Sequence, residues 1–205
     1  MKIVAAIVVI LAIGGLALLL KPRGAHAEML KAGDVAPDFS TYAVLGDQVV
    51  PTRLIDYRGR PVVLYFYPKD NTSGCTKEAC AFRDGYVRFQ QWGIAVLGCS
   101  IDGADAHRAF ARKYRLPFPL LLDPDKKIAK AYGADNGIPI LGLDRRITYV
   151  IGPDGRIAKV YPQVDPATHA TEIIHDLGAD KAPPAPVASP STAAAPSEPN
   201  DSDME

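Results

Sequence analysis

The 205 residues carry 23 basic and 23 acidic side chains and three cysteines, and the charges are unevenly spread. Lys2, Lys21 and Arg23 make the first 27 residues basic, while from Lys181 onward Glu198, Asp201, Asp203 and Glu205 make the end acidic, so the stretch between is neutral. A neutral central region of about 150 residues argues against a nucleic-acid partner and is long enough to bury a core of its own.

Ile3 to Leu20 are eighteen uncharged, apolar positions, followed by Lys21, Arg23 and an A-x-A pattern at Ala25-His26-Ala27. Residues 1–27 read either as a signal peptide cleaved after Ala27 or as an N-terminal membrane anchor. Positive charge at both ends prevents the positive-inside rule from choosing between them. In both cases the rest of the chain is expected to be exported, to the periplasm if the cell is bacterial, touching a membrane only through this segment.

Residues 28–180 read as one domain. Gly33-Asp34 to Phe39 is an extended lead-in, and Asp47 to Leu54 a short strand leading to a turn at Tyr57-Arg58-Gly59. Val62 to Tyr67 is an apolar, aromatic strand that breaks at Pro68. A polar turn follows through Asp70, Asn71 and Thr72. From Cys75 the pattern becomes helical, with Ala79, Phe82, Tyr86 and Phe89 recurring at steps of three and four as far as Trp92-Gly93. Ile94 to Ser100 is apolar enough throughout for a central parallel strand. Asp105 to Tyr114 predicts a helix and Phe118 to Leu122 a strand; Asp123-Pro124 predicts a further helix, with Asp at N-cap and Pro at N1. Ile147–Ile151 and Arg156–Tyr161 flank Gly152-Pro153-Asp154-Gly155 as a hairpin, and Asp165-Pro166 caps a last helix to Leu177. The order predicts an α/β fold, a central mixed β-sheet flanked by helices, half parallel and half antiparallel. Residues 181–205 are rich in Pro, Ala, Ser and acids and are expected to be disordered.

The chemistry concentrates in Tyr65 to Cys80. Cys75 falls in the first turn of a helix that directly follows a strand, where unpaired N–H groups and the helix dipole favour an anion. A cysteine so placed can have its pKa lowered from about 8.5 into the range of roughly 3.5–7.5, which makes it a nucleophile at neutral pH. A lone cysteine there would be read as a buried cap of a core helix. Against that reading stand the P-x-x-x-T-x-x-C spacing of Pro68, Thr72 and Cys75 and a second cysteine, Cys80, five residues on. On an intact helix that separation puts the Cα atoms about 8.7 Å apart. A disulfide needs them within about 7 Å. The two cysteines can therefore join only if the first turns unwind.

This segment resembles the active site of a peroxiredoxin of the bacterioferritin comigratory protein or Q type, a likeness running from about Lys31 to Gly178. The resemblance implies a thioredoxin-like fold, Cys75 as peroxidatic cysteine, Cys80 as resolving cysteine, and Pro68 and Thr72 as motif residues. L-D-R-R-I-T-Y-V-I resembles the family segment whose arginine reaches the thiolate, which implies Arg146, with Arg145 sent to the other side by strand alternation. The implied reaction is thiol-dependent reduction of hydrogen peroxide and organic hydroperoxides through a Cys75 sulfenic acid and a Cys75–Cys80 disulfide. It is recycled by a thioredoxin-type dithiol, in a monomer, without metal, haem or flavin. Cys99 is expected to be a buried apolar residue, its sharper reading being a modification or intermolecular disulfide. Two other readings stay open: an exported thioredoxin-like thiol–disulfide oxidoreductase, disfavoured by the C-x4-C spacing, and a non-enzymatic tethered module.

Overall fold

The computed structural model describes residues 28–135 and 143–181. The leader and nearly all of the acidic tail lie outside the described residues. Seven strands form one mixed sheet: β1 (Ser40–Leu45), β2 (Gln48–Arg53), β3 (Val62–Phe66), β4 (Ala95–Ser100), β5 (Leu120–Leu122), β6 (Ile147–Ile151) and β7 (Ile157–Tyr161). Their spatial order is β2-β1-β5-β4-β3-β6-β7. Strands β3, β4 and β5 pair in parallel, and every other pairing is antiparallel. The expected division into a parallel and an antiparallel half is therefore present.

Period-two alternation sorts the strand side chains into two cores. Val63, Tyr65, Tyr67, Val96 and Leu120 face α1 (Ser73–Gln91), α2 (Ala104–Tyr114) and α4 (His169–Asp176). Val62, Leu64, Phe66, Leu97, Cys99, Leu121 and Tyr149 face the lead-in and the short α3 (Lys127–Ala131). Because β3 and β4 are covered on both faces, every residue in them is buried, which is why their sequences carry no polar alternation. Cys99 is one of these buried residues, and burial first, then Asp123 and Asp144, push its thiol well above its ordinary pKa. Helix α1 lies close on α4 at Gly85, where a Cβ would come within 2.9 Å of Ile174.

One strand escapes the sequence reading and two expectations are corrected. Strand β1 follows the extended lead-in, in a stretch to which the sequence assigned no element, and it pairs with β2 through the two-residue turn Gly46-Asp47, with Gly46 at φ +60°. Such a Gly-Asp turn between apolar runs is itself a hairpin signal. Helix α3 begins at Lys127, not at Asp123-Pro124, because Lys126 turns left-handed (φ +56°). Asp123 still caps it from outside, accepting from the N–H groups of Ile128 (3.1 Å) and Ala129 (2.8 Å). The last helix starts at His169, after a turn in which Asp165 accepts from Ala167 N–H.

Candidate active site

The site lies where β3 hands over to α1. Tyr67 makes the last ladder bond, donating to Cys99 O at 3.1 Å. Pro68, half-buried and lacking an N–H, cannot extend the ladder, and the chain turns away. The turn closes through Asn71, which adopts φ +58°, a conformation that asparagine tolerates better than most residues. Thr72 is the N-cap of α1, so Ser73, Gly74 and Cys75 are its first three positions. The first helical bond is Thr76 N–H to Thr72 O, and no side chain caps the three N–H groups before it. Cys75 therefore stands at the positive end of a 19-residue helix with its thiol buried.

Arg146 reaches this thiol from the start of β6. Its Nη2 donates to Cys75 Sγ at 3.2 Å, and its Nη1 donates to Glu78 Oε2. Gly74 leaves room for the guanidinium, since a Cβ there would meet Nη2 at 3.2 Å. Burial opposes the Arg146 charge, but Glu78 and Cys75 together outweigh it and hold the guanidinium above its ordinary pKa. Arg145, by contrast, is exposed; both arginines precede β6, which begins at Ile147. A cleft of about 490 Å³ lined by Met29, Arg145, Arg146, Ile147, Pro162 and Gln163 lies beside the pair.

The Thr72 hydroxyl is tied to the turn behind it. It donates to Lys69 O at 3.0 Å and does not cap the helix. The single hydroxyl hydrogen is thus engaged, and the oxygen lone pairs are what it presents. Cys80 lies half-buried on the same unbroken helix as Cys75, and both are free thiols.

Glu78 was not anticipated from the sequence. It sits three residues after Cys75, hence on the same helix face, with its side chain fully buried and Oε1 without a hydrogen-bond partner. Burial pushes its carboxyl up to about 7 against the pull of Arg146. Between about pH 4.5 and 7 the folded chain therefore holds a proton that the unfolded chain releases. The Glu78 contribution to stability should fall as pH rises through this window, by about 3 kcal/mol. Asp144, also raised to about 7 by burial, titrates with the same sign. The check is urea unfolding at pH 5 and pH 8, in which the pH-dependent loss should be smaller in Glu78→Gln than in the wild type.

A second buried network was also missed. Tyr67 OH donates to Asp70 Oδ1 (2.8 Å), and His107 on α2 places Nδ1 2.8 Å from Asp70 Oδ2 and Nε2 3.2 Å from Leu121 O. Asp70 N–H donates to Asp102 at 2.8 Å. The turn carrying Thr72 is thereby pinned to α2 and β5. His107→Leu strands a buried carboxylate, so it should lower stability by about 3–5 kcal/mol in denaturant titration. Among the described residues no group of three or more His, Cys, Asp or Glu side chains is placed to hold a metal ion.

The AhpC/TSA family model matches residues 32–160. Chloroplastic peroxiredoxin Q of Sedum lineare is 45% identical over 157 residues, which cover 76% of this chain and 81% of the relative. The chain is a peroxiredoxin of the AhpC/TSA family. A peroxiredoxin bcp of Coxiella burnetii is 40% identical over 153 residues, covering 72% of this chain and 99% of the relative. The crystal structure of peroxidoxin BcpB from Mycobacterium tuberculosis matches this peroxiredoxin with a TM-score of 0.66 at 33% identity, covering 74% of this chain and 99% of that one. These likenesses place the peroxiredoxin among the Q and bcp types, with their thioredoxin-like fold, and make it a thiol-dependent peroxidase rather than a disulfide oxidoreductase or a binding module.

Proposed function

We propose that this peroxiredoxin reduces hydrogen peroxide and organic hydroperoxides through Cys75, with Cys80 as resolving thiol. The observation that carries the assignment is the Arg146 guanidinium bonded to both Cys75 Sγ and Glu78 at a helix N-terminus. A thiolate there has a fixed positive partner and three uncapped N–H groups around it. The thiolate attacks one peroxide oxygen, the O–O bond breaks, and the distal oxygen leaves with the electron pair and takes a proton to become water or an alcohol. Arg146 and the N–H groups stabilise the charge that develops on that oxygen. Thr72, whose hydroxyl hydrogen is held by Lys69, accepts from the peroxide O–H and so orients it. The cleft beside Arg146 accommodates an organic tail against Met29, Ile147 and Pro162.

Cys75 is left as a sulfenic acid. The first turns of α1 then unwind, the Cys80 thiolate attacks Cys75 Sγ, and the hydroxyl leaves as water. A thioredoxin-type dithiol reduces the resulting disulfide by exchange. Export rests on the apolar run from Ile3 to Leu20 and the A-x-A at Ala25–Ala27, and leader processing is read by the mass of the mature chain from fractionated cells. A monomer is the working state, checked by light scattering.

The test is rapid mixing of the reduced protein with one equivalent of hydrogen peroxide, followed by intact mass and peptide mapping. Fast formation of a Cys75–Cys80 disulfide is expected. Oxidation at the rate of an unactivated cysteine, or a disulfide through Cys99, would overturn the assignment.

A further inference from the structure

Cys80 is not alone on its face of α1. Arg83, three residues on, lies on the same face of α1, and Asp84 first, with Cys80 beside it, raises the guanidinium above its ordinary pKa against the effect of burial. Its guanidinium is fixed, with Nη1 donating to Tyr114 O at 2.9 Å and Nε to Asp84 Oδ1 at 2.8 Å, so it ties α1 to the end of α2. There it meets Lys113 and Arg115. These three cations and Tyr114 line an open cavity of about 420 Å³ whose lining includes no carboxylate. Lys113 Nζ lies over the Tyr114 ring, 5.1 Å from its centroid, and among the described residues neither Lys113 nor Arg115 makes an ion pair.

Arg115 is also the left-handed C-cap of α2, at φ +51° and ψ +49°. Glycine is the residue that such a position favours, and a side chain there costs stability. Cations near a helix C-terminus do complement its dipole, which accounts for the sign of Lys113. It accounts neither for an arginine in a glycine conformation nor for the convergence with Arg83 from a different helix.

We propose that Arg83, Lys113 and Arg115 form a cationic dock that brings the acidic rim of a thioredoxin-type protein dithiol onto Cys80. The proposal rests on Cys80 being the resolving cysteine. The cavity is open, with Arg83 half-buried and Lys113 and Arg115 exposed at its rim, which fits a protein surface better than an enclosed small ligand. The dock also attracts the incoming thiolate. That thiolate attacks Cys80 Sγ, the Cys75–Cys80 bond breaks, and Cys75 leaves as a thiolate held by Arg146. The partner's second thiolate then attacks its own sulfur in the mixed disulfide and releases Cys80 as a thiolate beside Arg83. Two electrons pass to this chain, and the partner is left as a disulfide.

The experiment uses the full chain, oxidised with one equivalent of peroxide and checked by mass for the Cys75–Cys80 disulfide. Its reduction is followed with a thioredoxin whose active-site rim is acidic, with reduced glutathione and with dithiothreitol. In Lys113→Glu/Arg115→Glu, reduction by the thioredoxin should slow roughly tenfold or more and its salt dependence flatten. Peroxide oxidation and reduction by dithiothreitol should match the wild type. Arg115→Gly should raise Tm by about 2–4 °C and still slow reduction by the thioredoxin. An unchanged thioredoxin rate, or an equal loss with dithiothreitol, overturns the dock. A loss confined to glutathione assigns the cavity to a small carboxylated thiol and overturns the protein partner. If no Cys75–Cys80 disulfide forms at the outset, the role of Cys80 falls instead, and the mass distinguishes that failure from the others.

Discussion

Cys75→Ser is expected to abolish turnover of every peroxide, whereas Cys80→Ser is expected to leave the first oxidation intact and stop recycling. The two outcomes separate because the cysteines act in different half-reactions. Serine is nearly isosteric with cysteine, so the helix N-terminus and the buried setting of position 75 survive, but a hydroxyl there is not ionised at neutral pH and does not attack a peroxide. In Cys80→Ser the sulfenic acid still forms, since Arg146 and the N–H groups around Cys75 are untouched. With no resolving thiol it persists or climbs to the sulfinic acid. Steady-state peroxide consumption coupled to a dithiol should fall at least ~100-fold, while stopped-flow oxidation of Cys75 stays within about twofold of the wild type. Unimpaired steady-state recycling in Cys80→Ser would remove Cys80 from the cycle.

Arg146→Met should slow Cys75 oxidation by about 10²–10³-fold, the loss typical of removing one fixed donor from a developing oxyanion. It should also destabilise the fold by about 3–5 kcal/mol at pH 8, because Glu78 is left fully buried with no counter-charge. The stability loss should shrink at pH 6, where Glu78, raised to about 7, takes up a proton and no longer needs the partner. The double variant Arg146→Met/Glu78→Met should recover much of the stability and none of the rate. Recovery of both would mean that the guanidinium serves the fold alone.

Much of this was legible in the sequence, and particular residues show why. The apolar run from Val62, the break at Pro68 and the three-and-four spacing through Ala79, Phe82 and Phe89 are local signals of strand, turn and helix. They placed Cys75 in the first helical turn, where α1 has it. Of the two arginines that precede β6, Arg146 is the one whose guanidinium donates to the thiol. Strand β1 was missed although its Gly-Asp turn was readable, and α3 was placed too early because the left-handed turn at Lys126 has no glycine or asparagine to announce it.

The sequence by itself determined the order of elements, the nucleophile and its position at a helix start, since each of these depends on residues within a dozen positions of one another. Tertiary structure decided which distant groups meet them. Nothing local to Cys75 says that Glu78 is stripped of water and pushed up to about 7, because its burial depends on packing of α1 against the sheet and on Arg146, 68 residues away. The Asp70–His107 contact across 37 residues and the meeting of Arg83 with Tyr114 across 31 depend likewise on how α2 lies beside α1. Burial and desolvation are properties of the packed molecule, and the energies of these charges follow from them.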